Sequence, residues 1–301
     1  MPLVESRPEP RARRLGLLCG FIASALWGAV WVCVRYLVSV RHLDPIFTAA
    51  MRFAIGGIVA AAYLVVIGRG GELRRAASRL GTLSLLGSIG IFAMGVCVFF
   101  SGRYTASING SLIMNSNAVF IGVLAALMGE RVPGLRYVGL AVGLAGCAVI
   151  MLGQPAEASV RSNDLLGGLL ALGGALCWAA YTVLGKRVVR EVGGLASATV
   201  TLIVGAVLLM TLALLHGGMQ LLDGEELAVL VFLGIFPTAI AMLLWYYALD
   251  LLDASALGPT QYVAPIISTA LGWALLGEPV GLAFLAGTAL VMVALHLSTR
   301  R

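Results

Sequence analysis

Aromatic side chains occur in the interior of long apolar segments of this sequence. Trp178 and Tyr181 are three residues apart, so they share one face of a helix, and Trp27 lies in the middle of an earlier apolar segment. A belt of aromatic residues at a membrane surface would lie nearer the segment ends. Because aromatic faces can stack on an apolar group or attract an ammonium group, we interpret these three residues as the lining of a small-molecule cavity.

A second aromatic run, Trp245, Tyr246 and Tyr247, lies close to the end of a later apolar segment. Tryptophan and tyrosine are enriched at membrane–water interfaces, where one side of the ring is apolar and the other is wet. We therefore favour an interfacial belt for this run, and the lining of a cavity is the alternative.

Neutral amides are the second kind of side chain that could bind a small molecule. Asn117 and Gln261 lie inside apolar segments, and each offers both a donor and an acceptor. Such amides could hold a zwitterion without burying a further charge. The alternative is that they form only helix-to-helix hydrogen bonds, and the sequence leaves both interpretations open.

Arg52 is the basic residue that falls clearly inside an apolar segment. A charge at the centre of a bilayer costs about 2.5–3.5 kcal/mol on insertion scales, so its presence calls for an explanation. It could attract the carboxylate of a ligand. It could equally pair with helix-end carbonyl groups or extend to the membrane surface.

The residues that catalysis or metal binding requires are scattered. The three histidines lie at separate segment ends, and the five cysteines are odd in number and lack the spacing of a zinc or redox pair. No Asp or Glu falls in the middle third of an apolar segment, which disfavours exchange of a cation for a proton. We expect no catalytic residue, no cofactor and no metal site.

Composition determines the class of fold. The chain has 301 residues, of which 60% are hydrophobic and 11% charged, and this is too much apolar surface for one water-soluble core. Its apolar segments have the length that crosses a bilayer, about 20 residues. We predict an all-α integral membrane protein with ten transmembrane helices, at 15–38, 45–67, 80–101, 105–128, 134–153, 164–186, 195–215, 226–249, 254–276 and 280–298.

The two halves of the chain are similar to one another. A shift of 151 residues places Trp27 on Trp178, and a later shift of 148 places Gly129-Glu130 on Gly277-Glu278. We therefore predict two five-helix repeats, and an odd number of helices makes the second repeat inverted. The predicted divisions are a cytoplasmic tail at 1–14, repeats at 15–153 and 164–298, and an external linker at 154–163.

The basic residues predict the orientation. With the N-terminus inside, 15 of the 20 Lys and Arg residues fall on the inner side and four on the outer side. Cytoplasmic loops are enriched in Lys and Arg, so both termini should be cytoplasmic, with Glu130 and Glu278 on opposite faces. The net charge of +6 reports this orientation, and no nucleic-acid partner is expected.

Three motifs occur in both halves of the chain. Small residues precede a tryptophan in Ala25-Leu26-Trp27-Gly28-Ala29 and in Ala175-Leu176-Cys177-Trp178-Ala179. A glutamate turn follows the fourth segment of each half at Glu130 and Glu278, and a glycine-bearing fifth segment comes next. These motifs resemble those of the drug/metabolite transporter superfamily, and specifically its ten-helix, two-repeat EamA-type branch. The family pattern has a proline in each fourth helix, which Pro265 supplies in the second half, whereas Asn117 stands at the matching position in the first.

The resemblance implies a secondary transporter that exports small organic metabolites, most of all amino acids, by alternating access. It also implies an integral plasma-membrane location, in a bacterium the inner membrane. Alternatives are export of other metabolites or drugs, such as nucleobases or sugars, and a membrane-embedded transferase enzyme. The expected partners are the small-molecule substrate and the lipid bilayer, with the chain either a homodimer or a monomer. The predicted substrate-binding residues are Asn117, Gln261, Trp178, Tyr181, Trp27 and Pro265.

Overall fold

The computed structural model describes residues 10–104, 113–152, 164–276 and 281–299. In these ranges the chain is helical, without a β-strand. The helices are α1 (Pro10–Arg35), α2 (Pro45–Val66), α3 (Gly70–Ala77), α4 (Leu80–Gly87), α5 (Met94–Tyr104), α6 (Asn117–Leu127), α7 (Gly134–Leu152), α8 (Asp164–Val192), α9 (Gly194–His216), α10 (Gly224–Gly234), α11 (Ala241–Leu251), α12 (Ala254–Leu257), α13 (Val263–Leu276) and α14 (Leu282–Thr299). The predicted linker and Glu278 lie outside the described residues.

Six stretches of helix in the described ranges are long and apolar enough to cross a membrane. They are Pro10–Val38, Pro45–Val66, Leu80–Ser101, Leu165–Val192, Gly194–His216 and Gly224–Leu251. The apolar stretches of α6, α7 and α14 are shorter, and the predicted segment 254–276 is divided into two helices. The integral membrane class is thus confirmed, whereas the count of ten spans stays a prediction.

Several apolar segments are interrupted near their middle. The segment that contains α4 and α5 is joined by π-helical turns at Ser88–Ala93, and the segment that contains α10 and α11 by π-helical turns at Ile235–Ile240. Between α12 and α13, Gly258–Tyr262 forms a 3₁₀ helix. Two prolines contribute, because Pro237 and Pro259 have no backbone N–H to donate. Irregular turns of this kind are tolerated at membrane depth where they are buried in protein.

Two central helices organise the packing. Helix α1 packs against α11 and α13, and α8 packs against α5 and α6. Around them, α2 packs along α9, and α7 packs along α14. The residues that α1 and α8 present to each other therefore lie inside the bundle.

Small residues allow the close contact between α7 and α14. A side chain added at Gly146 would place its Cβ 2.9 Å from the carbonyl oxygen of Gly287, and one added at Gly139 would lie 2.9 Å from that of Ala294. Glycines at such spacing permit helix backbones to approach in a membrane. The glycine motifs of the fifth and tenth predicted segments thus serve packing within the chain.

We expect Gly146→Leu to destabilise the protein by about 1–3 kcal/mol, because a larger side chain would force α7 away from α14. Thermal unfolding in detergent, followed by intrinsic fluorescence, measures this change. Gly81→Leu is the matched control, since Gly81 has no neighbouring atom within 4 Å of an added Cβ. Equal melting temperatures for the two variants would contradict the packing described here.

Candidate functional site

Five aromatic side chains meet in the interior, and we call them the aromatic cluster: Trp27, Trp178, Tyr181, Trp245 and Tyr246. The Trp27 ring lies edge-on to Trp178, with centroids 5.1 Å apart, and 5.2 Å from the Trp245 ring. Tyr181 lies 5.4 Å from Trp178 and 5.4 Å from Tyr246. Three helices, α1, α8 and α11, thus contribute to one continuous aromatic surface.

The interpretation of Trp245 and Tyr246 as interfacial is wrong. Both side chains are 0% exposed, and Tyr246 packs beside Gly185 of α8. Tyr247, on another face of the same helix, is 36% exposed. The position of these residues near a segment end did not predict their exposure, because α11 continues to Leu251 and packs along α1.

Neighbouring elements fix the orientation of Tyr181. Its hydroxyl shares a hydrogen bond of 2.8 Å with Oγ1 of Thr201 on α9. Its ring fills the space left by Gly90 in the π-helical turns, where an added Cβ would lie 2.1 Å from Cγ of the tyrosine. Only glycine at position 90 allows this ring to reach the interior.

Gln261 is joined directly to the aromatic cluster. Nε1 of Trp178 donates a hydrogen bond of 3.0 Å to Oε1 of Gln261, which lies in the 3₁₀ turns before α13. Nε2 of Gln261 is enclosed and has no hydrogen-bond partner among the described residues. The same is true of Nε1 of Trp245. Two buried N–H donors at the cluster are therefore available to an acceptor.

Asn117 begins α6, and its Oδ1 is enclosed without a partner in the part of the chain that the structure describes. Helix α6 packs against α8 and against the 3₁₀ turns that carry Gln261. An added Cβ at Gly258 in those turns would lie 3.3 Å from the carbonyl oxygen of Ala118. Asn117 thus lies on the same side of the bundle as Gln261, but no hydrogen bond joins it to the cluster.

Pro265 is buried in the first turn of α13. It lies three residues after the 3₁₀ helix Gly258–Tyr262 ends, where the chain continues directly as α-helix. Of the six predicted site residues, Trp27, Trp178, Tyr181 and Gln261 form one connected group. For Asn117 and Pro265 the structure gives position and burial.

One end of the bundle is tied together by charges, and we call it the Lys186 end. Nζ of Lys186 pairs with Asp253 and lies 3.5 Å from Oε1 of Glu130. The Glu130 carboxylate also accepts hydrogen bonds from the first two backbone N–H groups of α12, at 3.3 and 3.2 Å. Nη1 of Arg136 donates to Oγ of Ser255 at 2.7 Å. These contacts join the ends of α6, α7, α8, α11 and α12.

At the opposite end, which we call the Arg41 end, the connection between α1 and α2 contacts the connection between α9 and α10. Arg41 pairs with Asp223, and its Nε lies 3.1 Å from Oε1 of Glu226. The backbone N–H of Asp44 donates to the side chain of Gln220. An open cavity of about 420 Å³ lies beside these connections, at the surface rather than at the aromatic cluster.

Arg52 lies in α2 between the two ends. Its Nε donates a hydrogen bond of 2.9 Å to Oγ1 of Thr238, which belongs to the π-helical turns Ile235–Ile240. The guanidinium also lies over the Phe53 ring, 4.7 Å from its centroid. The arginine therefore extends across the bundle to another helix rather than along α2 to the membrane surface.

The family profile and the relatives described below are all those of transporters. A sequence profile of the EamA-like transporter family matches residues 14–152 and 165–300. "Uncharacterized transporter YyaM" of Bacillus subtilis (strain 168) is 26% identical over 92% of this chain and 90% of its own length. "Uncharacterized inner membrane transporter YedA" of Escherichia coli (strain K12) is 27% identical over 89% of this chain and 86% of its own.

One solved crystal structure superposes on the chain with a TM-score of 0.84. It covers 98% of this chain and 97% of its own, at 24% sequence identity. That similarity establishes a shared fold and carries no information about the molecule that is bound.

We expect Lys186→Ala to open the Lys186 end, because Glu130 and Asp253 would lose the cation that pairs with both of them, and Arg136 would then face the two carboxylates alone. The readout is the labelling rate of Ser255→Cys by a membrane-impermeant maleimide, in a background that lacks the five native cysteines. Ser255 is 1% exposed, and the rate should rise at least about tenfold, which corresponds to about 1.4 kcal/mol.

Arg79→Ala is the control for this experiment. It removes an ion pair with Glu191 at the same end, but both side chains are about half exposed and such pairs contribute little. Equal labelling rates in the Lys186→Ala and Arg79→Ala backgrounds would show that the buried ion pairs do not hold this end closed.

Proposed function

This chain belongs to the EamA-like transporter family, and we propose from this membership that it is a secondary carrier of small organic metabolites, with amino acids as the leading class. Membrane transport is the activity that the family and the named relatives share. The substrate, the direction of transport and the mechanism are the parts that we propose. Export by alternating access is the form that the predicted arrangement of repeats favours.

The observation that carries the proposal is the combination of aromatic rings with unpaired polar atoms inside an apolar bundle. Donors remain at Gln261 and Trp245, and an acceptor remains at Asn117. A buried polar atom without a partner costs about 1–3 kcal/mol, so a ligand that supplies these partners gains that free energy. An amino acid offers both donors and acceptors, and its side chain can lie against the rings.

Interrupted helices support a binding site at this depth. Transporters commonly form their substrate sites where spanning helices are broken, because the irregular turns expose polar groups to a cavity. Here the turns at 258–262 carry Gln261, the turns at 88–93 carry the Gly90 that contacts Tyr181, and α6 begins at Asn117 after a turn at 115–116.

We also propose the ten-helix arrangement as two inverted repeats, at 15–153 and 164–298. The family profile matches the chain twice, at 14–152 and 165–300. The π-helical turns at 88–93 and 235–240 are separated by 147 residues, which is close to the repeat shift of 148. Packing is also reciprocal, because α1 contacts helices of the second half and α8 contacts helices of the first.

Alternating access requires that each end of the bundle can open in turn. The Lys186 end is held by ion pairs between Lys186, Glu130 and Asp253, and the Arg41 end by those of Arg41. In the proposed cycle one set of ion pairs separates while the other persists, and the aromatic cluster contacts the substrate between them. The basic-residue bias makes the Lys186 end the cytoplasmic one.

We expect flux of labelled amino acids into liposomes that contain the purified protein, down the substrate gradient and without an imposed pH gradient.

Asn117→Ala and Gln261→Ala should each weaken binding by about 1–3 kcal/mol, because a buried polar group of the substrate loses its partner. Trp178→Ala should mainly shift the preference away from large side chains. Counterflow measured over a panel of amino acids, nucleobases and sugars provides the test.

Gln220→Ala serves as the matched control, since Gln220 lies at the Arg41 end and contacts Asp44. All variants must insert at the level of the unmodified protein. Unchanged flux and selectivity in the Asn117, Gln261 and Trp178 variants would place the site elsewhere. Chemical turnover of a lipid or sugar donor without flux would favour a membrane-embedded transferase instead.

We expect both termini to be cytoplasmic in the bacterial inner membrane. Single cysteines at Ser78 and Met219, which are exposed at opposite ends, report this orientation. In intact cells an impermeant maleimide should label Met219→Cys and should label Ser78→Cys only after the membrane is permeabilised. Labelling of both from the same side would contradict the predicted orientation.

A further inference from the structure

Arg52 carries a charge that the proposed site has not used. It lies seven residues after the start of α2, which places it about 10 Å along the helix from the Arg41 end. Charged residues within a spanning segment are costly and commonly mark a functional site. No carboxylate among the described residues pairs with this arginine, in contrast to Arg41, which pairs with Asp223 and Glu226.

The contacts of Arg52 hold the guanidinium while leaving part of it available. Nε is used by Thr238, and the plane lies over the Phe53 ring. The structure gives the terminal nitrogens Nη1 and Nη2 no hydrogen-bond partner in the described ranges, and Arg52 as a whole is partly buried. Such a guanidinium, fixed at one nitrogen and open at the other two, suits a carboxylate.

Thr238 keeps this geometry in place. Its Oγ1 accepts from Arg52 and donates to the carbonyl oxygen of Leu233 at 2.7 Å, so its hydroxyl hydrogen is already committed. The close approach of α2 is allowed by Gly56, where an added Cβ would lie 2.5 Å from Cγ2 of Thr238. Thr238 is thus a positioning residue that aims the guanidinium.

The distance between Arg52 and the aromatic cluster can be counted along two helices. Met51 and Ile55, which flank Arg52 in α2, pack in one apolar cluster with Cys33 of α1, which is six residues, or about 9 Å, beyond Trp27. Thr238 precedes Trp245 by seven residues, which is about 10 Å of helix. Both counts place the guanidinium on the Arg41 side of the cluster, at a separation that one small amphipathic molecule can bridge.

We propose that Arg52, oriented by Thr238, binds the anionic group of the transported molecule, whose apolar body extends to the aromatic cluster. A polar atom at the far end of the molecule would then meet the open amide atoms of Asn117 or Gln261. This assignment rests on the proposed carrier function and narrows it, because it requires the substrate to carry a carboxylate or a similar anion.

Three probes with the same phenylpropyl body separate charge from shape: 3-phenylpropionate, 3-phenylpropanamide and 3-phenylpropylamine. Binding to the full-length protein in detergent is measured by quenching of tryptophan fluorescence, without any need for flux. The unmodified protein should bind the anion about tenfold or more tighter than the neutral amide, since hydrogen bonds between charged groups are the strong ones. The cation should bind most weakly.

Substitutions then test the residues through the ratio of the anion and amide affinities. Arg52→Gln should bring this ratio to about one, and Arg52→Lys should keep part of it because the charge remains but the planar guanidinium is lost. Thr238→Val should lower the ratio. Arg79→Gln, which removes a paired and half-exposed arginine at the Lys186 end, should leave it unchanged.

A ratio near one in the unmodified protein would overturn the proposal, and so would an undiminished ratio in Arg52→Gln. An equal loss of affinity for all three probes would show that Arg52 only supports the fold. If Arg52→Gln does not fold, the ratios for Arg52→Lys and Thr238→Val decide. Amino-acid flux in liposomes that persists alongside any of these failures would leave the carrier function standing and remove only the anion site.

Discussion

Hydrocarbon offers no hydrogen-bond partner, so every polar group within the spanning segments must be satisfied by the protein or by a ligand. The interior side chains of this protein meet that requirement only partly. Gln261 uses its oxygen to accept from Trp178, Tyr181 uses its hydroxyl with Thr201, and Arg52 uses Nε with Thr238. In Gln261 and in Arg52 one atom of the side chain forms the hydrogen bond that fixes its orientation, and another nitrogen has no partner among the described residues. The same side chain is therefore both oriented by the protein and able to bind a ligand.

The irregular turns follow from the same requirement. A continuous α-helix satisfies its own backbone and presents side chains at a fixed spacing, whereas π-helical and 3₁₀ turns change that spacing locally. In this protein the turns at Ile235–Ile240 carry Thr238, and those at Gly258–Tyr262 carry Gln261. Both residues bond to a side chain on another helix. The backbone irregularities therefore coincide with the contacts that cross between helices.

Much of this arrangement could be predicted from residue types and spacing. The helical period placed Trp178 and Tyr181 on one face, and hydropathy located the six stretches that are long enough to cross a membrane, because both properties are local. Trp245 was misinterpreted, since its burial depends on how α11 packs along α1, which no local pattern encodes. The partner of Arg52 lies 186 residues away in the chain, so sequence could indicate the cost of the charge but not Thr238. For Asn117 and Pro265 the structure adds burial, and their role stays a prediction.

The distribution of charge also suits a molecule that must change conformation. Carboxylates in the described residues pair with cations at the two ends of the bundle, and when such an end opens both groups regain water, which offsets part of the cost of separating the pair. Between the ends, the rings of Trp27 and Trp245 contribute apolar contact, while Trp178 and Tyr181 are also held by hydrogen bonds to Gln261 and Thr201. Arg52 is the exception, because its charge lies where water has limited access. An anion that enters with the substrate would balance that charge, and the site would then be electrostatically complete only when it is occupied.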